Sequence, residues 1–245
     1  MGGTELLIVL LAVVVGSIAK AVTGMGLPII AIPIAALFVD LDDAVVSIAV
    51  ANVLANAVLG ARELDRRDET RDLPMLAATG IVGAVVGTIA FVNLPEEPLV
   101  ALLVIAIIGY VATFFFVPDL RVEPERSRRM APGIGLLAGA FQGSIGISGP
   151  IVGSWIHSYR LGRGAHILSV TSLFLVTGLT QVVVFAVSGE FRGRLTASAL
   201  ATIPVLSAIP LGTRLRERVS VRGFDVAIVT MLVVSAVALG VQTFA

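Results

Sequence analysis

The chain has 245 residues, 57% hydrophobic and 14% charged, with a mean hydropathy of +1.01, whereas an ordinary soluble chain carries roughly 45–50% and about 25%. A water-soluble core of this length cannot bury so much apolar surface, and the same composition excludes disorder. Seventeen basic residues balance seventeen acidic ones, so no net field marks nucleic acid or an acidic partner, and with no cysteine there is no disulfide, CxxC pair or thiolate metal site. A polytopic membrane protein remains.

Apolar runs follow one another at 4–23, 27–39, 43–61, 73–92, 97–117, 132–145, 150–160, 164–187, 195–212 and 223–243, with the charges almost wholly between them. Crossing a hydrocarbon core of about 30 Å takes about 20 helical residues. All ten runs are predicted helices, because backbone facing lipid must satisfy its hydrogen bonds within its own segment. The first run has no basic residue before it and no small-residue cleavage site, and is expected to stay in the mature chain rather than leave as a signal peptide.

Three runs, 27–39, 132–145 and 150–160, are too short to span comfortably. Two of them follow a glycine-rich break with a proline: Gly24-Met25-Gly26-Leu27-Pro28 and Gly146-Ile147-Ser148-Gly149-Pro150. Pro28 and Pro150 are 122 residues apart, half the chain. The same shift superposes Asp72-Leu73 on Arg194-Leu195 and Glu96 on Arg218. The chain therefore reads as a tandem repeat of five apolar elements, 1–122 and 123–245.

Arginine positions orient it. Segments 62–72, 118–131, 160–163 and 213–222 hold fourteen arginines, against Arg192 and Arg194 in all other loops. Such an imbalance predicts that the four basic segments face the cytoplasm and that both termini lie outside. An odd number of elements per repeat inverts the second half, an architecture common among secondary transporters. Each pair of elements flanking a break either crosses twice or enters and leaves one side as a hairpin reaching mid-membrane. Loop charges are the same in both cases. The short runs 132–145 and 150–160 favour a hairpin in the second half, and the 20-residue run 4–23 leaves the first half open.

Non-helical backbone at membrane depth must be buried in protein or line a polar cavity. Pro28 and Pro150 sit at the predicted first position of the helix after each break, where a missing N–H costs nothing. Helix N-termini carry about half a positive charge and free N–H groups, and Gly24, Gly26, Gly146 and Gly149 let those groups close on a ligand. Two inverted repeats would aim two such N-termini at one midplane point, a geometry suited to a small oxyanion. Lys20, the single lysine, lies inside an apolar run four residues before Gly24, as Gln142 lies four before Gly146. Near a hairpin tip Lys20 would neutralise an anion or exchange a proton, whereas in a crossing helix it would snorkel to the surface. Thr23, Ser144 and Ser148 lie at the breaks, and Asn52, Asn56 and Gln181 are the costlier polar residues in apolar runs. Gly135, Gly139 and Gly143, with Gly83 and Gly87, are expected to mark close helix contact. His157 and His166, nine apart with no carboxylate beside them, do not make a metal site, and no cofactor is expected.

These motifs, Gly16-Ser-Ile-Ala-Lys-Ala-Val-Thr-Gly24-Met-Gly-Leu-Pro28 and Gly139-Ala-Phe-Gln-Gly-Ser-Ile-Gly146-Ile-Ser-Gly-Pro150, in a cysteine-free chain with a charged central linker, resemble the sulfite exporter TauE/SafE family of bacterial permeases. Met25 and Leu27, and Ile147 and Ser148, interrupt the family's glycine runs. The resemblance implies transport of sulfite or a small organosulfonate across the cytoplasmic (inner) membrane. The residues themselves point to a carrier whose partners are a small anion and the lipid bilayer, with Lys20, Thr23, Gln142 and Ser148 around the anion. A carrier or channel for another small anion is the first alternative. A second is an intramembrane serine protease using Gly146-Ile147-Ser148-Gly149, with His157 or His166 as base.

Overall fold

The computed structural model describes residues 2–23, 26–116, 121–215 and 221–244, with the side chains of all of these except 22–23, 113–116, 209–215, 221–228 and 244. Every regular element among them is helical. In chain order they are α1 (Gly3–Thr23), α2 (Leu27–Ala35), α3 (Leu41–Gly60), a 3-10 turn (Leu64–Glu69), α4 (Leu73–Asn93), α5 (Glu96–Phe116), α6 (Pro124–Ile145), α7 (Gly149–Ser158), α8 (Arg163–Ser188), α9 (Leu195–Leu200), α10 (Thr202–Leu215) and α11 (Val221–Phe244). Among the described residues, Gly3–Ala21, Leu41–Gly60, Leu73–Asn93 and Arg163–Ser188 are long and apolar enough to cross a membrane. The outer faces carry large aliphatic side chains such as Val86 and Ile89 on α4, Ile108 on α5, Val183 on α8 and Val237 on α11. Acyl chains can cover such faces, and water cannot.

Two departures from the sequence reading have local causes. The short run 132–145 is the end of a 22-residue helix, α6. Its charged first turns extend it, with Pro124 in the opening turn and an exposed Arg129–Glu125 pair at 3.0 Å, spaced i,i+4. At 1.5 Å per residue α6 is about 33 Å long, so its length alone does not argue for a hairpin. The single run 195–212 is in fact two helices, α9 and α10, parted at Ala201. Pro204 offers no N–H to the Leu200 carbonyl and its ring crowds that group, which breaks the helix one turn before the proline. Pro28 and Pro150 occupy the second residue of their helices rather than the first.

Glycine controls the closest contact. α4 packs along α6, and a Cβ on Gly83, Gly87, Gly139 or Gly143 would run into the carbonyl oxygen of Leu136, Ala140, Gly80 or Ala84 respectively. With Gly135, whose Cβ would meet the Thr79 hydroxyl and the Leu76 carbonyl of α4, these are the glycines expected to mark helix contact, now with named partners. The wider packing pairs α4 with α6 and α10 with α1, α3 with α8, α5 with α11, α5 with α7 and α2 with α11.

Polar residues collect at two ends. At one end Arg194, before α9, pairs with Asp43 of α3 and, at 3.0 Å, with Glu190 after α8, while Glu96 of α5 accepts the Leu41 N–H at 2.8 Å. At the other, Asp72 before α4 accepts from the Ser127 hydroxyl of α6 at 2.7 Å and from the Tyr159 hydroxyl after α7 at 3.1 Å. The Arg71 guanidinium lies 4.7 Å from the Tyr159 ring centre and donates to the Val122 carbonyl at 3.2 Å. Burial and the Asp72 carboxylate push the Tyr159 hydroxyl well above its ordinary pKa, so it stays a donor. The basic segments 62–72, 118–131 and 160–163 are thus tied together through Arg71, Asp72, Val122 and Tyr159, while Asp43, Glu96, Glu190 and Arg194 gather residues of the arginine-poor loops.

Gly139→Leu is expected to lower detergent-solubilised stability by about 1–3 kcal/mol or more, since the new side chain meets backbone rather than movable atoms. Gly133→Ala, where a Cβ meets nothing within 4 Å, is the matched control. Melting temperatures of the two purified variants check this; equal melting would refute the glycine contact.

Candidate functional site

At the first break Gly26 adopts φ 134°, a region that side chains other than hydrogen rarely enter, and its carbonyl accepts the Ile30 N–H at 3.1 Å. The turn brings α2 back along α1: a Cβ on Gly16 would lie 2.6 Å from the Leu27 carbonyl oxygen and 3.2 Å from the Ala31 Cβ. α1 and α2 therefore need glycine at position 16. Nine residues of α2 are about 13 Å of helix, under half the hydrocarbon thickness.

Lys20 is wholly buried, which rules out snorkelling. Its ammonium donates to the Asn56 Oδ1 on α3 at 2.8 Å and lies 5.3 Å from the centre of the Phe174 ring on α8. The Asn56 Nδ2 in turn donates to the Asn52 carbonyl at 2.8 Å and to the Asn52 Oδ1 at 3.0 Å. A charge on this group would face a neutral amide and an aromatic ring, which solvate a cation without neutralising it. Ser17 sits one helical turn before Lys20 on the same side of α1, fully buried, and its hydroxyl has no hydrogen-bond partner among the described residues.

The second break is closed by amides. Gly146 takes a left-handed φ of 71° and its N–H returns to the Gln142 carbonyl at 2.9 Å, ending α6. The Gln142 side chain donates to the Gly146 carbonyl at 3.1 Å and to the Gln181 Oε1 at 3.3 Å, and accepts from the Ser148 hydroxyl at 3.1 Å. Gln181 donates to the Gly143 carbonyl at 3.1 Å. Gln142, Ser148 and Gln181 are each no more than 1% exposed.

The site residues expected from sequence thus fall into two clusters, Lys20–Asn52–Asn56 and Gln142–Gly146–Ser148–Gln181. Helix α8 links them. Phe174 touches the first, Gln181 belongs to the second, and Gly178 between them lies beside Asn52. The breaks also approach each other: Ile29, in the first turn of α2, reaches Gly149, the first residue of α7, and Ile32 presses on Gly146. Pro28 and Pro150 stand in these two first turns. Ser144 does not join, because its hydroxyl returns to the Ala140 carbonyl at 2.8 Å. Gly24 lies outside the described residues, as does the Thr23 side chain.

Sequence reading missed Phe174, Ser17 and Gly16 as participants. Ser17 and Gly16 stood within the quoted motif and Ser17 is at i−3 from Lys20, a usable signal; nothing in the spacing singled out Phe174. His157 and His166, nine residues apart, do meet, with ring centres 6.3 Å apart. Among the described residues no three His, Asp or Glu side chains converge on a point. The Ser148 hydroxyl is held by an amide rather than an imidazole, and His157 stands nine residues further on, about 13 Å along α7. That geometry lacks the nucleophile–base pair a serine protease needs.

The described residues form an apolar helical body around an occluded polar centre, the build of a membrane-embedded protein that handles a polar solute. The sulfite exporter TauE/SafE family model matches residues 8–239. The chain belongs to that family, whose members are membrane transporters of the sulfite- and sulfonate-exporting kind. Neither a curated protein nor a solved structure matches it.

Gln181→Leu is expected to leave the Gly143 carbonyl and one Gln142 donor without a partner, lowering stability by about 1–3 kcal/mol, and Gln181→Glu to restore only the acceptor. Thermal unfolding in detergent reads both. A Gln181→Leu variant as stable as the parent would show that the amide chain does not hold the break.

Proposed function

We propose that the protein carries sulfite or a small organosulfonate outward across the cytoplasmic membrane by alternating access around the two breaks. The observation that carries this reading is Lys20: a wholly buried amine whose described partners are neutral, with its backbone beside Gly26, the residue that opens a short helix. A charged side chain within a membrane helix costs at least about 2.5–3.5 kcal/mol on insertion scales, and such residues mark ion pathways. An entering anion would offset that cost. Lys20 would supply the charge, Ser17 a free hydroxyl donor, Ser148 a second one on exchanging Gln142 for the anion, and the N–H groups of the first turns of α2 and α7 the oriented dipoles. Thr23, Gly24, Gly26, Gly149, Asn52, Asn56, Gln142 and Gln181 would shape and hold this shell.

The repeat reading has support in the packing. Exchanging the halves turns the α4–α6 contact into α10–α1 and α5–α7 into α11–α2, while α3–α8 and α5–α11 map onto themselves. The residues flanking the second pair, Ser127 at the start of α6 and Tyr159 at the end of α7, both meet Asp72, which favours a hairpin that enters and leaves one side. With α2 folded back on α1, the first pair reads the same way at the opposite side. Two inverted units, 1–122 and 123–245, would then rock about a site near the midplane. By arginine placement, the Asp72 end is cytoplasmic and both termini are outside.

Two experiments test this. Purified protein in liposomes is expected to release radiolabelled sulfite saturably, with a small sulfonate competing and chloride not, and Lys20→Gln is expected to cut flux at least about tenfold, the worth of one charge-assisted contact. No flux of either anion by a folded protein would discard the substrate. Ser148→Ala should cost no more than about tenfold, one neutral hydrogen bond. Because the chain has no cysteine, Arg128→Cys and Glu97→Cys each give a single labelling site. An impermeant thiol reagent added to whole cells is expected to modify position 97 and not 128; the reverse pattern would invert the topology.

A further inference from the structure

The surroundings of Lys20 raise a question about charge that anion binding alone does not answer: what happens to the ammonium when the anion has left. α1 packs against α2, α3, α9 and α10, and α8 contributes Phe174. α2 and α9 contain no titratable residue. The acids of α3, Asp42 and Asp43, stand in its first turn, thirteen residues or more from Asn56, about 20 Å along the helix. On α8, His166 and Arg163 precede Phe174 by eight and eleven residues, about 12 and 16 Å. Glu5 is fifteen residues away on α1 itself, about 22 Å. Arg214 of α10 has its side chain outside the described residues. No described carboxylate therefore faces Lys20, and Asn56 cannot become one.

A lone charge in such a setting is held at a cost that a neutral amine avoids, and the Asn56 Oδ1 accepts from either form, more strongly from the ammonium, so the contact survives loss of the proton. We infer that Lys20 carries a co-transported proton: the amine takes up one proton as an anion binds and releases it as the anion leaves. This rests on the anion site proposed above and deepens it. The balance is simple. Lys20–NH2, a proton from the water on the open side and a monovalent anion give Lys20–NH3+ paired with the anion, and the opposite opening reverses the step. The loaded and the emptied site are both uncharged, so neither form drags an unpaired charge through the apolar core as the protein switches sides. Each crossing moves one anion and one proton, without net charge.

Lys20→Arg separates this from simple anion binding. A guanidinium stays protonated in proteins, so the variant can pair with an anion and exchange it but cannot return empty and neutral. Proteoliposomes are loaded with radiolabelled sulfite on the acid side of its second ionisation, where the monoanion prevails. Two rates are measured, exchange against external sulfite and net release into sulfite-free medium. In the parent protein net release is expected to ignore a potassium–valinomycin membrane potential. In Lys20→Arg, exchange is expected to stay within about threefold of the parent while net release falls at least about tenfold. Net release that follows the potential in the parent, or that falls no more than exchange in Lys20→Arg, overturns the proton. Should the larger guanidinium abolish both rates, the potential response of the parent decides alone. The two readings fail separately. Lys20→Gln with undiminished flux removes the anion site and the proton together, whereas Lys20→Gln without flux beside a parent that follows the potential removes only the proton.

Discussion

A backbone that leaves the helical path inside an apolar body must still satisfy its N–H and C=O groups, and most of the molecule is arranged around that requirement. The break after α6 frees the Gly143 and Gly146 carbonyls, and the side chains of Gln181 and Gln142 supply the missing donors. Those two glutamines then bond to each other, so the loop and α8 are fixed by one chain of amides. Placing α8 also places Phe174 over Lys20 and Gly178 beside Asn52. The polar centre on the first-half side thus inherits its geometry from the backbone repair on the other.

Glycine makes the arrangement compact enough to work. The α4–α6 contact leaves no room for a Cβ at Gly83, Gly87, Gly139 or Gly143, and van der Waals packing of this closeness replaces the hydrophobic force that lipid cannot provide. Gly16 plays the same part between α1 and α2. With the helices held by contact rather than by ion pairs, the ion pairs among the described residues lie at the two ends. There Arg194 with Asp43 and Glu190, and Asp72 with Ser127 and Tyr159, tie elements that hydrophobic contact alone would leave free to slide.

Much of this was readable in the residues. Hydropathy located the helices because a membrane core tolerates few other solutions, and the glycine–proline breaks appeared as interruptions no continuous helix would carry. The reading failed where hydropathy stops measuring structure. The first turns of α6 are charged yet helical, since a helix can continue past the hydrocarbon, and the α9–α10 break hinges on one proline inside an apolar run. In the site, spacing along a helix revealed that Asn52 and Asn56 share a face, and the shift of 122 residues paired Lys20 with Gln142. Contacts between helices have no such ruler. That Phe174 covers Lys20, or that His157 meets His166, depends on how α8 lies against α3 and α7, which no local pattern encodes.

The two breaks stand 122 residues apart in the sequence and have unlike chemistry. At one, a glutamine is consumed by backbone carbonyls and a hydroxyl, and every group in the cluster has a neutral partner. At the other, the residue 122 positions earlier is a lysine that donates to an asparagine, with a serine hydroxyl one turn before it that has no partner among the described residues. A second lysine in place of Gln142 would bring two cations near the α3–α8 crossing and leave the Gly146 carbonyl without its donor. A second glutamine in place of Lys20 would leave no charge to hold an anion. On the proposed reading, one half of the repeat preserves the structural use of the position and the other gives it to the substrate, which limits the carrier to one anionic charge per cycle.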